Sequence, residues 1–239
     1  MASTVSPGPD DDKGPNISAA KVKELRDKTG APMMDCKRAL TEAKGDLEQA
    51  IVFLRKRGMS VAATKAARVT TEGSVAHYIH AGGKIGVLVE VNCESDFVAR
   101  TDDFKELVHD IAMHIAARDP KYVRKEDVTP EDYAREKDIY LAKAIASGKP
   151  AHIAEKMVAG MMEKFYEEVC LLEQPFIKDE TISISQLIAA KVSKLGENIA
   201  VRRFARFKVG DVTATFAFVS TKPDGHAGEG SAASTLVAK

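Results

Sequence analysis

The stretch "IGVLVEVNC", residues 85–93, places Ile85, Val87, Val89, Val91 and Cys93 at every second position. Side chains of a strand alternate between faces, so these five line one apolar face of a half-buried strand. Such a strand needs a covering layer, and the neighbouring sequence supplies it. Upstream, "SVAHYIH" and the Gly82-Gly83 turn predict an antiparallel partner and hence a hairpin. Downstream, Phe104, Leu107, Val108, Ile111 and Ile115 fall on one face of a helix that Pro120 stops.

The flanks extend this to an α+β chain. The opening "MASTVSPGPDDDKGPN", residues 1–16, is rich in Pro, Gly, Ser and Asp and reads as a disordered N-terminal extension. Residues 17–57 read as a three-helix module: Ser18 caps the first helix and Gly30 ends it, Pro32 opens the second, and Asp46 caps the third. Residues 58–73, with Lys65 and Arg68 among small residues, read as a basic linker, with a partly helical course left open. Residues 74–210 form the α+β core: a small antiparallel sheet covered by helices, with a helical hairpin. That hairpin starts at Thr129-Pro130, turns at "SGKP" and sets Ile153, Met157, Met161 and Phe165 at four-residue steps. After a helix near 184–195, "NIAVRRFARFKV" predicts a last strand with Ile199, Val201 and Ala205 inward and Arg202 and Arg206 outward. Residues 211–239 read as a low-complexity C-terminal tail.

Composition removes several function classes. Lys+Arg and Asp+Glu are both 35, so binding dominated by phosphate attraction is disfavoured and direct DNA binding is not expected. Arg202, Arg203, Arg206 and Lys208 read as charges that solvate an edge strand. No apolar run has the length of a membrane span, and no secretory signal is visible. Three widely spaced cysteines, Cys36, Cys93 and Cys170, imply free thiols in a reducing interior. The expected location is the cytoplasm, with an organellar matrix or stroma as the alternative. GxSxG, P-loop and GxGxxG motifs are absent from the sequence. His77, His80 and Cys93 are a poor metal set, because His77 and His80 lie an odd number apart on one strand. No cofactor, metal or covalent chemistry is therefore expected.

Two places remain. Adjacent Met33 and Met34 differ by about 100° on a helix, so the expectation is either that one packs and the other is exposed as adaptable apolar surface, or that both are partly buried. Asp96-Phe97 stands at the corner between strand and helix in "VNCESDFVARTDDF". Phe97 is there either to plug its own sheet or to wedge into another molecule. Spacing favours the plug and leaves the wedge open.

The segments "LRDKTGAPMMDCKRAL" (25–40) and "NCESDFV" (92–98) resemble the elongation factor Ts family. "AMHIAA" (112–117), "IAEKMVAG" (153–160), "LLEQPFIKD" (171–179) and "GENIAVRRF" (196–204) are similar to the same family, in family order. The resemblance implies a ubiquitin-associated-like N-terminal module and a guanine nucleotide exchange factor, not an enzyme, whose partner is elongation factor Tu. It assigns partner contacts to Asp96 and Phe97, with Ser95 and Val98 beside them. On the N-terminal module it assigns them to Arg26, Met33, Met34 and Lys37. His114 matches a family interface histidine, although spacing alone places it on a helix surface. Ser95 stands where the family has Thr, and Pro32 where it has Gly. The single copy of the core resembles the short form, which implies a homodimer.

Overall fold

A computed structural model of the chain describes residues 17–148, 150–211 and 215–218. The first three helices are α1 (Ala19–Thr29), α2 (Met33–Glu42) and α3 (Leu47–Lys65). They close over Leu25, Cys36, Ala39, Leu40 and Ala50, all fully buried. Ser18 and Asp46 act as N-caps, accepting from the Lys21 and Gln49 amides, and Gly30 ends α1 in the left-handed region. The expected extension, residues 1–16, lies outside the described residues.

The third helix takes up the first half of the expected linker. It runs on to Lys65 without a break, so residues 58–65 are helix. The small residues that looked like linker are a packing face. Gly58 is buried, and a Cβ there would lie 3.6 Å from the Ala189 carbonyl of α8 (Ile184–Leu195). Ala62 packs on the main core. From the same helix, the Lys65 ammonium donates to the Gly196 carbonyl, and Arg55 reaches the Thr181 hydroxyl at 3.1 Å.

The sheet has the order β1-β2-β5-β6, all antiparallel. Its strands are β1 (Glu72–Ile79), β2 (Ile85–Cys93), β5 (Ile199–Lys208) and β6 (Thr215–Phe218). A smaller two-stranded sheet, β3 (Pro175–Phe176) with β4 (Asp179–Ser183), was not foreseen. Val87, Val89, Val91 and Cys93 pack under α5 (Asp102–Arg118), whose Phe104, Leu107, Ile111 and Ile115 are fully buried. Ile188 and Val192 of α8 complete this core. The expected cover is the one observed.

β5 departs from the expected alternation. Glu90 pairs with Arg203 but Val91 pairs with Val201, so Arg202 is an extra residue, a bulge that exchanges the two faces beyond it. Phe204 and Arg206 therefore point inward, and the outward placement of Arg206 is corrected. Its guanidinium is buried, donates to the Ala116 carbonyl at 3.3 Å and meets Asp119 at 3.1 Å. Nor is β5 the edge of this sheet: β6 lies beyond it, inside the segment expected to be tail. The remainder of that segment, 212–214 and 219–239, lies outside the described residues.

The helical hairpin is formed by α6 (Pro130–Ala146) and α7 (Ala151–Val169), with Thr129 capping α6. Its buried stripe is Ala154, Val158, Met162, Phe165 and Val169. The expected stripe kept Phe165 but was one residue out elsewhere, and Ile153 is exposed. Constant four-residue steps advance 40° each around a helix. The three-residue step from Met162 to Phe165 brings the stripe back to one face.

Candidate partner-binding site

At the end of β2 the chain makes one helical turn, α4 (Asp96–Ala99), before α5 begins. Ser95 caps that turn: its backbone is extended and its hydroxyl accepts from the Val98 amide at 3.4 Å. The next cap, Thr101, accepts from the Phe104 amide at 3.2 Å. Successive helical residues point about 100° apart, so only one of Phe97 and Val98 can face the core. Val98 takes that place and is buried in its own core, which corrects its expected partner contact. Phe97 is left outside with 83% of its surface exposed. The plug is excluded. The ring is therefore a large apolar group left in solvent at the corner.

Asp96 pairs with Arg100 one turn along. Beneath the turn, the Ser95 amide donates to Glu197 at 3.0 Å and its hydroxyl to the same carboxylate at 2.6 Å. The Ser95 carbonyl accepts from the Cys93 thiol at 3.2 Å. Burial, with Glu197 adding, pushes that thiol up, so it stays protonated as the donor. Glu94 accepts from the Asn198 amide at 2.6 Å. That amide, with Arg68 adding, holds the Glu94 carboxyl below its ordinary range.

On the N-terminal module, Arg26 and Lys37 are exposed, and Met33 and Met34 are both exposed, at 45% and 69%. The expectation that one methionine packs is corrected. α2 buries Cys36, Ala39 and Leu40, and its first turn stands clear of that face.

His114 is also corrected. It lies fully buried under the sheet layer, so it offers no surface to a partner. The Gln174 amide nitrogen donates to the Glu168 carbonyl, which turns the Gln174 oxygen toward His114 Nε2 at 3.0 Å. Nε2 therefore carries the proton, and Nδ1 has no hydrogen-bond partner. Burial, with Arg118 adding, outweighs the Gln174 bond and pushes the imidazole down to about 4. Between an unfolded value near 6.5 and this folded value, the unfolded chain binds the extra proton, so stability falls as pH falls through that window. The loss from this group approaches about 3 kcal/mol by pH 4. Chemical unfolding of wild type and His114→Phe from pH 7 to 4 checks this. The variant is offset at every pH, because Gln174 loses its partner, but lacks this part of the slope.

The three cysteines are free and buried, and burial, with Glu173 adding, pushes Cys170 up to about 12. Among the described residues no group of three His, Cys, Asp or Glu side chains is placed to hold a metal ion. No helix among them is long and apolar enough to cross a membrane.

An exposed Asp-Phe pair on a capped single turn, with an N-terminal helical module beside the core, can be compared with known proteins. A family model described as Elongation factor TS matches residues 23–211, most of the chain. The chain belongs to the elongation factor Ts family. It is 72% identical over 212 residues to the Elongation factor Ts of Koribacter versatilis (strain Ellin345), covering 89% of this chain and 97% of that relative. The Elongation factor Ts of Solibacter usitatus (strain Ellin6076) is 63% identical over 195 residues, 82% of this chain and 92% of its own. That of Carboxydothermus hydrogenoformans is 58% identical, with 82% and 90% covered. This makes the chain a member of a family of translation elongation factors.

Glu197, Glu94 and Asn198 were missed as supports of the site. "GENIAVRRF" carried two of them as family letters, but that Glu197 meets Ser95 is a property of strand pairing.

Proposed function

We propose that this protein is a guanine nucleotide exchange factor, which binds elongation factor Tu with GDP and speeds GDP release so that GTP can bind. The observation that carries this reading is Phe97, a large apolar ring held outside its own core beside the carboxylate of Asp96. The ring wedges between helices of the GTPase next to its magnesium and phosphate site, and Asp96 disturbs the contacts there. Arg26, Met33, Met34 and Lys37 give a second contact on the same domain, supported by the exposure of all four.

Magnitudes divide the labour. Weakening a nucleotide about ten-thousand-fold requires about 5.5 kcal/mol of differential affinity. Burying one Phe supplies only about 1.5–3 kcal/mol. The module and the core thus supply binding energy, and the corner converts part of it into lost nucleotide contacts. By linkage, nucleotide weakens the complex as much as the complex weakens nucleotide, so GTP binding releases the factor.

We also propose that two chains pair. The outer face of the sheet carries exposed Val75, Ile79, Leu88, Phe207 and Phe216 on four adjacent strands. Phe207 and Phe216 stack edge to face, with ring centroids 5.9 Å apart. Two such faces can pack as a sandwich about 10 Å thick. Sedimentation equilibrium is expected to show a dimer for wild type and a monomer for Leu88→Glu; a wild-type monomer at micromolar concentration contradicts the pairing.

The experiment that tests the function is stopped-flow release of labelled GDP from elongation factor Tu. Release accelerates when this protein is added. Binding without acceleration would make it an interaction module only, and steep salt-dependent affinity for RNA or DNA would make it a nucleic-acid binder.

A further inference from the structure

We propose that Glu197 is the positioning residue that aims Phe97 outward. This rests on the reading of Phe97 as the wedge. Phe97 is almost free of contact with its own chain, so its direction depends on α4. That helix has four residues, too few to persist by its own hydrogen bonds. Buried Val98 and the Thr101 hydroxyl, which donates to the Val98 carbonyl at 2.8 Å, hold its far side; its cap holds the near side, and Glu197 holds the cap.

A serine hydroxyl has one hydrogen and two lone pairs, and when free it rotates. Here the hydrogen is committed to Glu197 at 2.6 Å, which leaves a lone pair for the Val98 amide. The Ser95 amide is committed to the other oxygen of the same carboxylate at 3.0 Å. One side chain thus holds both donors of the cap residue, and both bonds are charge-assisted. The Ser95 carbonyl accepts from the Cys93 thiol and from the Ala99 amide, so every polar group of Ser95 is engaged.

Glu197 is itself held. It follows Gly196, the left-handed residue that ends α8, and immediately precedes Asn198 and β5. Asn198 gives its amide to Glu94 and its side-chain nitrogen to the Arg68 carbonyl at 2.9 Å. The ends of β2 and β5 therefore exchange carboxylates: Glu94 captures the amide of Asn198, and Glu197 captures that of Ser95. The two bonds to Ser95 reach the cap of α4, and the bond to Asn198 ties the strands.

With alanine at 197, Ser95 turns to water, its hydroxyl rotates and α4 frays. Phe97 then samples many directions, and a misdirected group loses rate more than affinity. Glu197→Ala is expected to lower the GDP release rate at saturating factor about tenfold, with a smaller change in affinity for nucleotide-free elongation factor Tu. Glu197→Gln, which keeps the size and one acceptor oxygen, is expected to fall between the two and carries the test if the alanine variant does not fold. In a Phe97→Ala background, Glu197→Ala should slow release no further, because its route of action is gone.

A reading without the partner separates this proposal from the wedge itself. The chain has no tryptophan, so Phe97→Trp places a single reporter at the tip. Its fluorescence anisotropy should drop when Glu197→Ala is added. Unchanged anisotropy, full exchange activity in folded Glu197→Ala, or a further loss in the Phe97→Ala background would each overturn the role of Glu197. Full exchange by Phe97→Ala alone would overturn the wedge, while the anisotropy would still report whether Glu197 orders the corner.

Discussion

Phe97→Ala is expected to slow GDP release from elongation factor Tu by between about tenfold and about a hundredfold at saturating factor, the rate equivalent of one buried Phe. Stability should hardly move. The ring is 83% exposed, and surface changes away from caps and cores stay within about 0.5 kcal/mol. Affinity for the nucleotide-free partner should fall by less than the rate, because the N-terminal module and the core remain. The pattern separates the wedge from a merely sticky surface residue, whose loss would weaken binding and leave the saturated rate intact. Stopped-flow release across a range of factor concentrations reads both quantities. An unaltered saturated rate would refute the role given to Phe97.

A second large effect is expected at Gly73. Its φ is +143°, and a Cβ there would lie 2.2 Å from the Val91 carbonyl oxygen and 2.7 Å from the Asn92 Cα. Both neighbours are backbone of β2, so relief requires β1 to move off its partner. Gly73→Ala is expected to cost about 3 kcal/mol or more, which lowers Tm by about 6–12 °C for a chain of this size. Gly82→Ala gives the comparison. It also has positive φ, +89°, but nothing lies within 4 Å of its Cβ. Its cost should be backbone strain alone, about 1 kcal/mol. Thermal melts of the two variants check the contrast, and equal melting points would contradict the close approach at Gly73. The site should suffer too, since Gly73 pairs with Asn92, three residues before Ser95.

What the sequence disclosed follows from the range of each interaction. The alternation from Ile85 to Cys93, the caps at Ser18, Asp46, Ser95 and Thr129, and the stop at Gly196 are local, written within a few residues. The errors lie where a distant segment decides. Arg206 turns inward because Arg202 is extra against β2, which pairing alone determines. His114 is buried because Gln174, 60 positions away, receives it. Gly58 and Ala62 looked like linker because α8 was not there to pack on them. Phe97 shows both sides. Its direction outward follows from a local cap that leaves Val98 the core position, yet spacing by itself favoured the plug, and family resemblance was what pointed to the wedge. Glu197 had no local signal at all.

We propose that the ring at position 97 is kept for another molecule's interior. Replacing Phe97 with the photoreactive analogue benzoylphenylalanine, then irradiating the complex with elongation factor Tu, tests it at the atom in question. A covalent link to the nucleotide-binding domain of elongation factor Tu is expected, suppressed by excess GTP. Links confined to this chain or to a second copy of it, in a preparation that still accelerates GDP release, would contradict it.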